Sequence, residues 1–245
     1  MRRRLIGGWQ RVLGAVRSPP RAAPQFTLPV DEPLASLPAV IFDTETTGLN
    51  VARDRLLSVG GLQYRGTHPE PQPPLDFLVH PGIRIPKRST VIHGIDDAAV
   101  AFAPSFPLVW PSVQLFWQRR VLVGHNIAFD LAILRHEAER HRLPFHPPAA
   151  ALDIGMLYAG LKPRVPSITL ETIAADFGID LKHRHTAYGD AVGCGGIWTH
   201  LLPALSRLGV GTLGSAQDLM LRQRDLLHGQ GRAGWAIDLL GQNHG

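Results

Sequence analysis

The chain has 245 residues, 44% hydrophobic and 18% charged, which is enough apolar material for a packed domain and excludes wholesale disorder. Its one cysteine, Cys194, excludes an intrachain disulfide and a cysteine-based zinc site, and predicts a reducing, cytoplasmic location. The net charge of +5 comes from the N-terminus: six arginines in residues 1–30 leave 19 basic and 20 acidic residues, a net charge of −1, for the remainder. The basic composition is therefore no argument for nucleic-acid binding by the folded body.

Residues 1–36 are predicted to form a basic extension and a proline-rich linker. Apolar residues recur in it near helical spacing, with arginines between them, until Ser18-Pro19-Pro20 ends the pattern. A flexible tail explains this composition, and so does docking on a partner, on nucleic acid or on an anionic membrane surface. The longest uncharged run, Ala98 to Gln118, contains three prolines, so no membrane-spanning helix is predicted.

The core is predicted to begin near Leu37 with a strand that carries two acids. The apolar run Ala39–Phe42 is typical of a buried strand. Because strand side chains alternate, Asp43 and Glu45 leave the same face about 7 Å apart. Such a pair calls for a cation, and a divalent metal ion is the simplest one, although two solvated acids at an exposed strand end fit the same pattern. Residues 46–48, Thr-Thr-Gly, end the strand and supply hydroxyls and backbone amides near the acids.

Two further strands are predicted at residues 55–64 and 75–79, joined by a segment with glycine and several prolines. Because no helix separates the first three strands, they are expected to form an antiparallel meander. A helix is predicted within residues 108–119, with Pro111 in its first turn, and Val121–Gly124 is predicted to be a fourth strand.

The second half of the chain is predicted to be mostly helical. Residues 127–142 divide into apolar and charged faces of a helix, with Asp130 in the first turn, where an acid also complements the helix dipole. Residues 152–160 are compatible with a short strand or a helix. Residues 169–177 are predicted to be a further helix, which Gly178 ends.

The longest remaining helix is predicted to start near Thr186 and to be interrupted or to end near Pro203. His185 in the loop before it and Asp190 one turn inside it can point at one site. Glycines inside this helix cost about 1 kcal/mol each relative to alanine, which indicates a close approach to another element: Gly193, Gly195 and Gly196.

The predicted domains are a basic extension and linker (1–36), a catalytic core (37–208) and a C-terminal extension (209–245). The extension contains a short amphipathic helix at residues 215–228 and a loose end from residue 229. It is compatible with capping the core and with holding a partner.

Four carboxylates and one histidine can converge in this arrangement: Asp43, Glu45, Asp130, Asp190 and His185. Phosphodiester hydrolysis by two divalent ions uses such a set, in which oxygen ligands hold Mg²⁺ or Mn²⁺ ions about 3.5–4 Å apart. One ion lowers the pKa of a water molecule, and the other stabilises the leaving 3′ oxygen. A histidine can accept the proton of that water at neutral pH.

Three segments resemble, in order, the three motifs of the DEDDh exonuclease family: Asp43 to Gly48 (DTETTG), His125 to Asp130 (HNIAFD) and His185 to Ala191 (HTAYGDA). The family includes the proofreading ε subunit of bacterial DNA polymerase III. Each motif alone is weak, but three in order over about residues 38–205 are specific. The resemblance implies an α/β, RNase H-like fold with a mixed five-stranded central sheet flanked by helices. It also implies 3′→5′ exonuclease activity that releases nucleoside 5′-monophosphates.

The resemblance further assigns roles to individual residues. The four carboxylates would hold two Mg²⁺ or Mn²⁺ ions, and His185 would be the general base. Contacts to the substrate are implied for one group of residues: Thr46, Thr47, Gly48, Leu49, His93, Asn126 and Phe129. The chain departs from ε-like subunits at Arg88, where these often have glutamate, which puts any inherited substrate contact there in doubt.

Three functions are compatible with these residues. The first is an exonuclease acting on single-stranded or frayed DNA 3′ ends, alone in repair or as the proofreading partner of a polymerase. The second is an RNA-trimming exonuclease, because the 2′-OH is read by a few contacts that the sequence does not place. The third is a silent adaptor that binds a polymerase or a nucleic-acid end, which predicts a lost carboxylate, whereas all five chemical positions are intact. The sequence leaves homodimerisation open.

Overall fold

The computed structural model describes residues 26–165 and 167–235. In it, the acid-bearing strand is a central member of a mixed sheet of six strands. The strands are β1 (Pro38–Thr46), β2 (Leu56–Arg65), β3 (His68–Pro69), β4 (Leu75–Leu78), β5 (Val121–Gly124) and β6 (Ala150–Asp153). Their order is β3-β2-β1-β5-β6, and β4 pairs with the same edge of β2 as β3, so six strands fill five positions. The predicted antiparallel meander is confirmed for β1, β2 and β4, whereas β5 and β6 run parallel to β1.

Helices cover both faces of this sheet. They are α1 (Lys87–His93), α2 (Phe106–Trp117), α3 (Ile127–Arg140), α4 (Ile154–Leu161), α5 (Leu170–Phe177), α6 (Ala187–Arg207), α7 (Leu213–Leu221) and α8 (Arg224–Arg232). Phe42 of β1 contacts Trp117 of α2, with ring centroids 5.8 Å apart. The next residue, Asp43, points to the opposite face and approaches α6, because strand side chains alternate. Within the described residues, no helix has both the length and the apolar character needed to cross a bilayer.

The edge at which β1 and β5 end is the place where polar side chains collect. Residues Ala39–Phe42 are at most 1% exposed. Burial of these apolar residues stabilises β1 as a central strand of the sheet. Because β1 and β5 are parallel, both end at the same edge of the sheet. Only two residues separate β5 from α3, and the first turn of α3 therefore reaches the end of β1.

Two helices differ from the prediction at their prolines. α2 begins at Phe106, so Pro107 lies in its first turn and Pro111 lies inside the helix. α6 continues past Pro203 to Arg207. Apolar side chains around each internal proline are buried, and their burial outweighs the lost backbone hydrogen bond: Val109, Trp110, Val113, Leu201, Leu202 and Leu205.

The C-terminal part also differs from the prediction. The helix expected at residues 215–228 is instead the two helices α7 and α8. α7 begins earlier than expected because Thr212 and Ser215 cap it reciprocally. α8 extends into the segment for which the sequence predicts a loose end. Residues 1–25 and 236–245, with the helical pattern and the arginines of the first segment, lie outside the described residues.

The segments that flank the core pair with each other. The N–H of Leu34 donates to the carbonyl oxygen of Gly211, and the N–H of Leu213 donates to that of Glu32, both at 2.9 Å. α7 then packs on α4 and β6. The C-terminal helices therefore cap the core, which is one of the two arrangements that the sequence leaves open.

Gly60 of β2 is required by the close packing of α6 on the sheet. A Cβ atom at this position would lie 2.2 Å from the backbone carbon of Ala187. We expect Gly60→Ala to lower the free energy of unfolding by about 3 kcal/mol, because neither backbone can yield. This loss corresponds to a fall in melting temperature of roughly 6–12 °C, which thermal unfolding followed by circular dichroism would measure.

Gly211→Ala is the matched control for this prediction. A Cβ atom at Gly211 would meet no atom within 4 Å, so we expect its stability to stay within about 0.5 kcal/mol of the wild type. Equal melting temperatures for the two variants would contradict the packing argument.

Candidate metal centre

Three carboxylates meet at the end of β1. Asp43 and Glu45 leave the same face of the strand, as predicted, and Asp190 approaches them from the first turn of α6. One oxygen of each acid lies within 4.8 Å of the corresponding oxygens of the other two. Asp43 and Glu45 are partly exposed, whereas Asp190 is buried. The pairing of β1 with β2 shifts register between Glu45 and Thr46, so the site lies where the ladder becomes irregular.

Asp130, the fourth predicted ligand, lies beside this group without belonging to it. It occupies the first turn of α3 and is 3% exposed. Its Oδ1 accepts a hydrogen bond of 2.7 Å from the hydroxyl of Thr44. Because Thr44 stands between the two acids of β1, this bond fixes Asp130 relative to both of them.

Three carboxylates of the site, Asp43, Glu45 and Asp130, hold protons more strongly than ordinary carboxylates do. Burial, followed by the charge of Asp130, raises the pKa of Asp43 well above its usual range. Burial and the charge of Asp190 raise the pKa of Glu45 to about 7. Burial raises the pKa of Asp130 to about 8, although the hydrogen bond from Thr44 acts in the opposite direction. Negative charge is thus concentrated here beyond what the surrounding groups neutralise.

This donor set fits a hard divalent cation. Its ligands are carboxylate oxygens, which Mg²⁺ and Mn²⁺ prefer. A divalent ion would displace the protons that the raised pKa values imply, and its charge would relieve the repulsion among the acids. The coarse prediction of a metal-binding carboxylate cluster therefore agrees with the geometry.

His185 lies at the rim of the cluster, immediately before α6. It is exposed, and its φ of 60° lies in the left-handed region, which histidine enters more readily than most residues. Its backbone N–H donates to Oδ2 of Asp190 over 3.2 Å. This hydrogen bond fixes the backbone of His185 relative to the acids, and the exposed imidazole lies on the solvent side of the site.

The loop formed by residues 46–49 is held from two sides. The hydroxyl of Thr47 donates to Oδ1 of Asp54 over 3.0 Å. Ser89 of α1 donates to the carbonyl oxygen of Thr47 over 2.5 Å. Leu49, at the tip of the loop, is 70% exposed. The backbone of the loop is thus fixed, while the side chain of Leu49 faces solvent.

α1, whose last residue is His93, places this side chain next to the loop. His93 is 7% exposed, and its Nδ1 accepts the N–H of Ile95 over 3.0 Å. Burial, and to a smaller extent the nearby His185, lowers the pKa of His93. Its surroundings therefore favour the neutral imidazole, which lies on the same side of the site as His185.

Asn126 and Phe129, the remaining predicted contacts, lie at the start of α3 and outside the cluster. Asn126 has a φ of 58°, a conformation that asparagine tolerates, so the backbone alone explains this residue type. Phe129 is 8% exposed and contacts Trp235 edge to face, with ring centroids 5.2 Å apart. Trp235 therefore already contacts one side of the Phe129 ring.

Two residues of the site are missed by reasoning from the sequence. Thr44 holds Asp130, and Arg184 forms ion pairs with Asp190 and with Glu171 of α5. Each stands directly beside a predicted site residue in the chain, and this adjacency is the one sequence signal that points to them. Glu171 carries no such signal, because it reaches Arg184 only through the packing of α5 on α6.

The raised pKa values predict a pH-dependent stability in the absence of divalent ions. A carboxylate with a raised pKa binds more protons in the folded than in the unfolded state, so its stabilisation is lost as the pH rises. For Glu45 this loss spans the range from 4.5 to about 7. In EDTA we expect the melting temperature to fall by on the order of 5 °C between about pH 5 and about pH 8.

Two controls accompany this measurement. Mn²⁺ should restore the melting temperature at the higher pH and have little effect at the lower one. Glu45→Gln should reduce the pH dependence in EDTA, and Asp43 and Asp130 should supply what remains of it. A melting temperature that is constant or rises over this range in EDTA would contradict the charge argument.

Known proteins resemble this chain in sequence. A family model described as exonuclease, of the RNase T family, matches residues 40–194. A DNA polymerase III subunit epsilon-like protein of Rhodobacter capsulatus is 35% identical over 188 residues, which are 76% of this chain and 26% of that protein. The chain thus spans about a quarter of the length of this relative.

Solved structures resemble it in fold. E. coli exonuclease I in complex with a dT13 oligonucleotide has a TM-score of 0.62 and 19% identity, covering 71% of this chain and 42% of that one. Exonuclease X in complex with 5′ overhanging duplex DNA has a TM-score of 0.59 and 21% identity, covering 74% and 99%. The predicted RNase H-like exonuclease fold is confirmed.

Proposed function

Because this chain belongs to the DEDDh-type exonuclease family, we propose that it is a metal-dependent 3′→5′ exonuclease that removes nucleoside 5′-monophosphates from DNA. The observation that carries this proposal is the meeting of Asp43, Glu45 and Asp190, with Asp130 beside them and His185 at their rim. We assign the activity to residues 37–208, with extensions on both sides.

The chemistry follows from these five side chains. Two Mg²⁺ or Mn²⁺ ions, held by the four carboxylates, would lower the pKa of the attacking water and stabilise the leaving 3′ oxygen. His185 accepts a proton from that water at an imidazole nitrogen as the water oxygen attacks phosphorus. The bond between phosphorus and the 3′ oxygen breaks, the terminal nucleotide leaves with its 5′ phosphate, and the 3′ oxygen takes a proton from solvent.

We assign the 3′-terminal nucleotide to the loop of residues 46–49. The amide, carbonyl and hydroxyl groups of Thr47 all form hydrogen bonds within the protein. We therefore assign to Thr47 the role of fixing the loop rather than that of contacting the substrate. The exposed side chain of Leu49 is suited to pack beside the last base. His93, adjacent to this loop, is suited to contact the same nucleotide.

The substrate class and the partner belong to the same proposal. We propose single-stranded or frayed DNA ends as substrate, a DNA polymerase as partner in proofreading or repair, and a cytoplasmic location. The support is that the Rhodobacter relative is named as epsilon-like and that both structural neighbours were solved with DNA.

One assay tests the proposal. The protein is incubated with 5′-labelled single-stranded DNA, duplex DNA with a frayed 3′ end, or RNA, in Mg²⁺, Mn²⁺ or EDTA. We expect a ladder that shortens DNA from the 3′ end and disappears in EDTA, with nucleoside 5′-monophosphates as products. A ladder on RNA alone would assign an exoribonuclease. Binding to ends without cleavage would assign an adaptor, and cleavage in EDTA would contradict the mechanism.

A further inference from the structure

Arg184 places one guanidinium group between two acids. Its Nη1 pairs with Oδ1 of Asp190, and its Nε donates to Oε1 of Glu171 over 3.0 Å. The Arg184 side chain is 24% exposed, compared with 8% for Asp190 and 58% for Glu171. The guanidinium therefore joins a buried acid of the metal centre to an acid on the surface.

Both oxygens of Asp190 have a partner within the protein. Oδ2 accepts a hydrogen bond from the backbone N–H of His185, and Oδ1 forms an ion pair with Arg184. The first contact is made by the main chain and is compatible with a bound ion. Only Oδ1 can exchange its partner, so this is the oxygen at which an ion and Arg184 compete.

Within the part of the chain that the structure describes, Arg184 has no counterpart among the basic side chains at these acids. Among the salt bridges of residues 26–165 and 167–235, none other reaches Asp43, Glu45, Asp130 or Asp190. Arg184 therefore supplies the one positive charge in direct contact with the cluster within this part of the chain.

We infer that Arg184 is a resident counter-ion, which occupies Oδ1 of Asp190 in the absence of a divalent ion and retains only Glu171 when the ion binds. This inference rests on the proposed metal-dependent function. A divalent ion carries twice the charge of a guanidinium and contacts several carboxylates at once, so it displaces Arg184 from Oδ1. The displaced guanidinium keeps its ion pair with Glu171, so its charge is not left without a partner. Arg184 thereby lowers the affinity for metal and stabilises the metal-free fold.

Mn²⁺ binding without nucleic acid tests this role, with free Mn²⁺ measured by electron paramagnetic resonance. We expect Arg184→Gln to bind Mn²⁺ about tenfold more tightly than the wild type, which is about 1.4 kcal/mol. Its melting temperature in EDTA should be lower, because the acids lose their counter-charge. Lys182→Gln is the matched control, since it removes one positive charge from the same loop without touching the acids, and its affinity should stay within about twofold of the wild type.

Arg184→Lys provides a second test that keeps the charge. Lysine lacks the planar fork that bonds Asp190 and Glu171 together, so we expect an affinity between those of the wild type and Arg184→Gln. Unchanged or weaker Mn²⁺ binding in both Arg184 variants, with normal binding by the wild type, would overturn the inference and leave the proposed function standing. Equal gains in Lys182→Gln and Arg184→Gln would reduce the effect to overall charge and also overturn it. No Mn²⁺ binding by any of these proteins would remove the proposed metal site and the inference together.

Discussion

Asp43→Asn is expected to abolish exonuclease activity and at the same time to stabilise the metal-free protein. Asp43 lies at the centre of the cluster, and its pKa is raised by burial and by three neighbouring acids. Loss of its negative charge removes a metal ligand, so the cleavage rate should fall by about 10³-fold or more. The same loss removes repulsion among the acids, so the melting temperature in EDTA at pH 8 should rise.

The opposite signs of these two effects distinguish a functional role from a structural one. Gel analysis of labelled DNA measures the rate, and thermal unfolding in EDTA measures stability. Asp76→Asn removes an exposed acid on β4 and serves as the control, for which we expect changes in neither quantity. An Asp43→Asn variant that loses activity because it unfolds would contradict this prediction, as would one that keeps its full rate.

His185→Asn is expected to lower the cleavage rate by about 10²–10⁴-fold without weakening Mn²⁺ binding. The φ of 60° makes asparagine the suitable replacement, because it adopts left-handed backbone and preserves the N–H that bonds Asp190. The variant therefore removes the imidazole alone. Single-turnover cleavage and Mn²⁺ titration measure the two quantities separately.

His183→Asn is the matched control for the His185 prediction. His183 lies two residues earlier in the same loop, is exposed, and has a φ of 56°, so the same substitution there changes the loop equally. We expect His183→Asn to keep nearly the wild-type rate. A rate for His185→Asn within about twofold of the wild type would show that His185 is not the general base. Equal losses in the two variants would assign the effect to the loop.

Local pattern in the sequence is sufficient to predict the framework of this site. The apolar run Ala39–Phe42 and the alternation after it predict both the central strand and the shared face of Asp43 and Glu45, because those features depend on neighbouring residues only. Similarly, Val121–Gly124 is predicted with its observed bounds, since a short apolar run between polar segments is unambiguous here. The exonuclease family predicted from the three motifs is confirmed as well.

Contacts between distant segments are the part that sequence patterns do not predict. Periodicity gives no reason for Asp190 to approach Asp43, and only the order of the motifs suggests it. Arg184 is less predictable still, because its position in the loop before α6 depends on Glu171, which belongs to α5. For the same reason, sequence patterns do not predict that α2 and α6 continue through Pro111 and Pro203. The burial of apolar side chains from several elements decides whether each helix continues past its proline.

The pairing of residues 30–34 with residues 211–214 has a consequence for shortening the chain at either end. The segment that leads into β1 and the segment that leads into α7 are bonded to each other by their backbones. Removal of either segment would leave backbone groups of the other without partners, and such groups are costly when they are buried. The two flanking segments therefore stabilise the core as one unit, because α7 continues from this pairing onto α4 and β6.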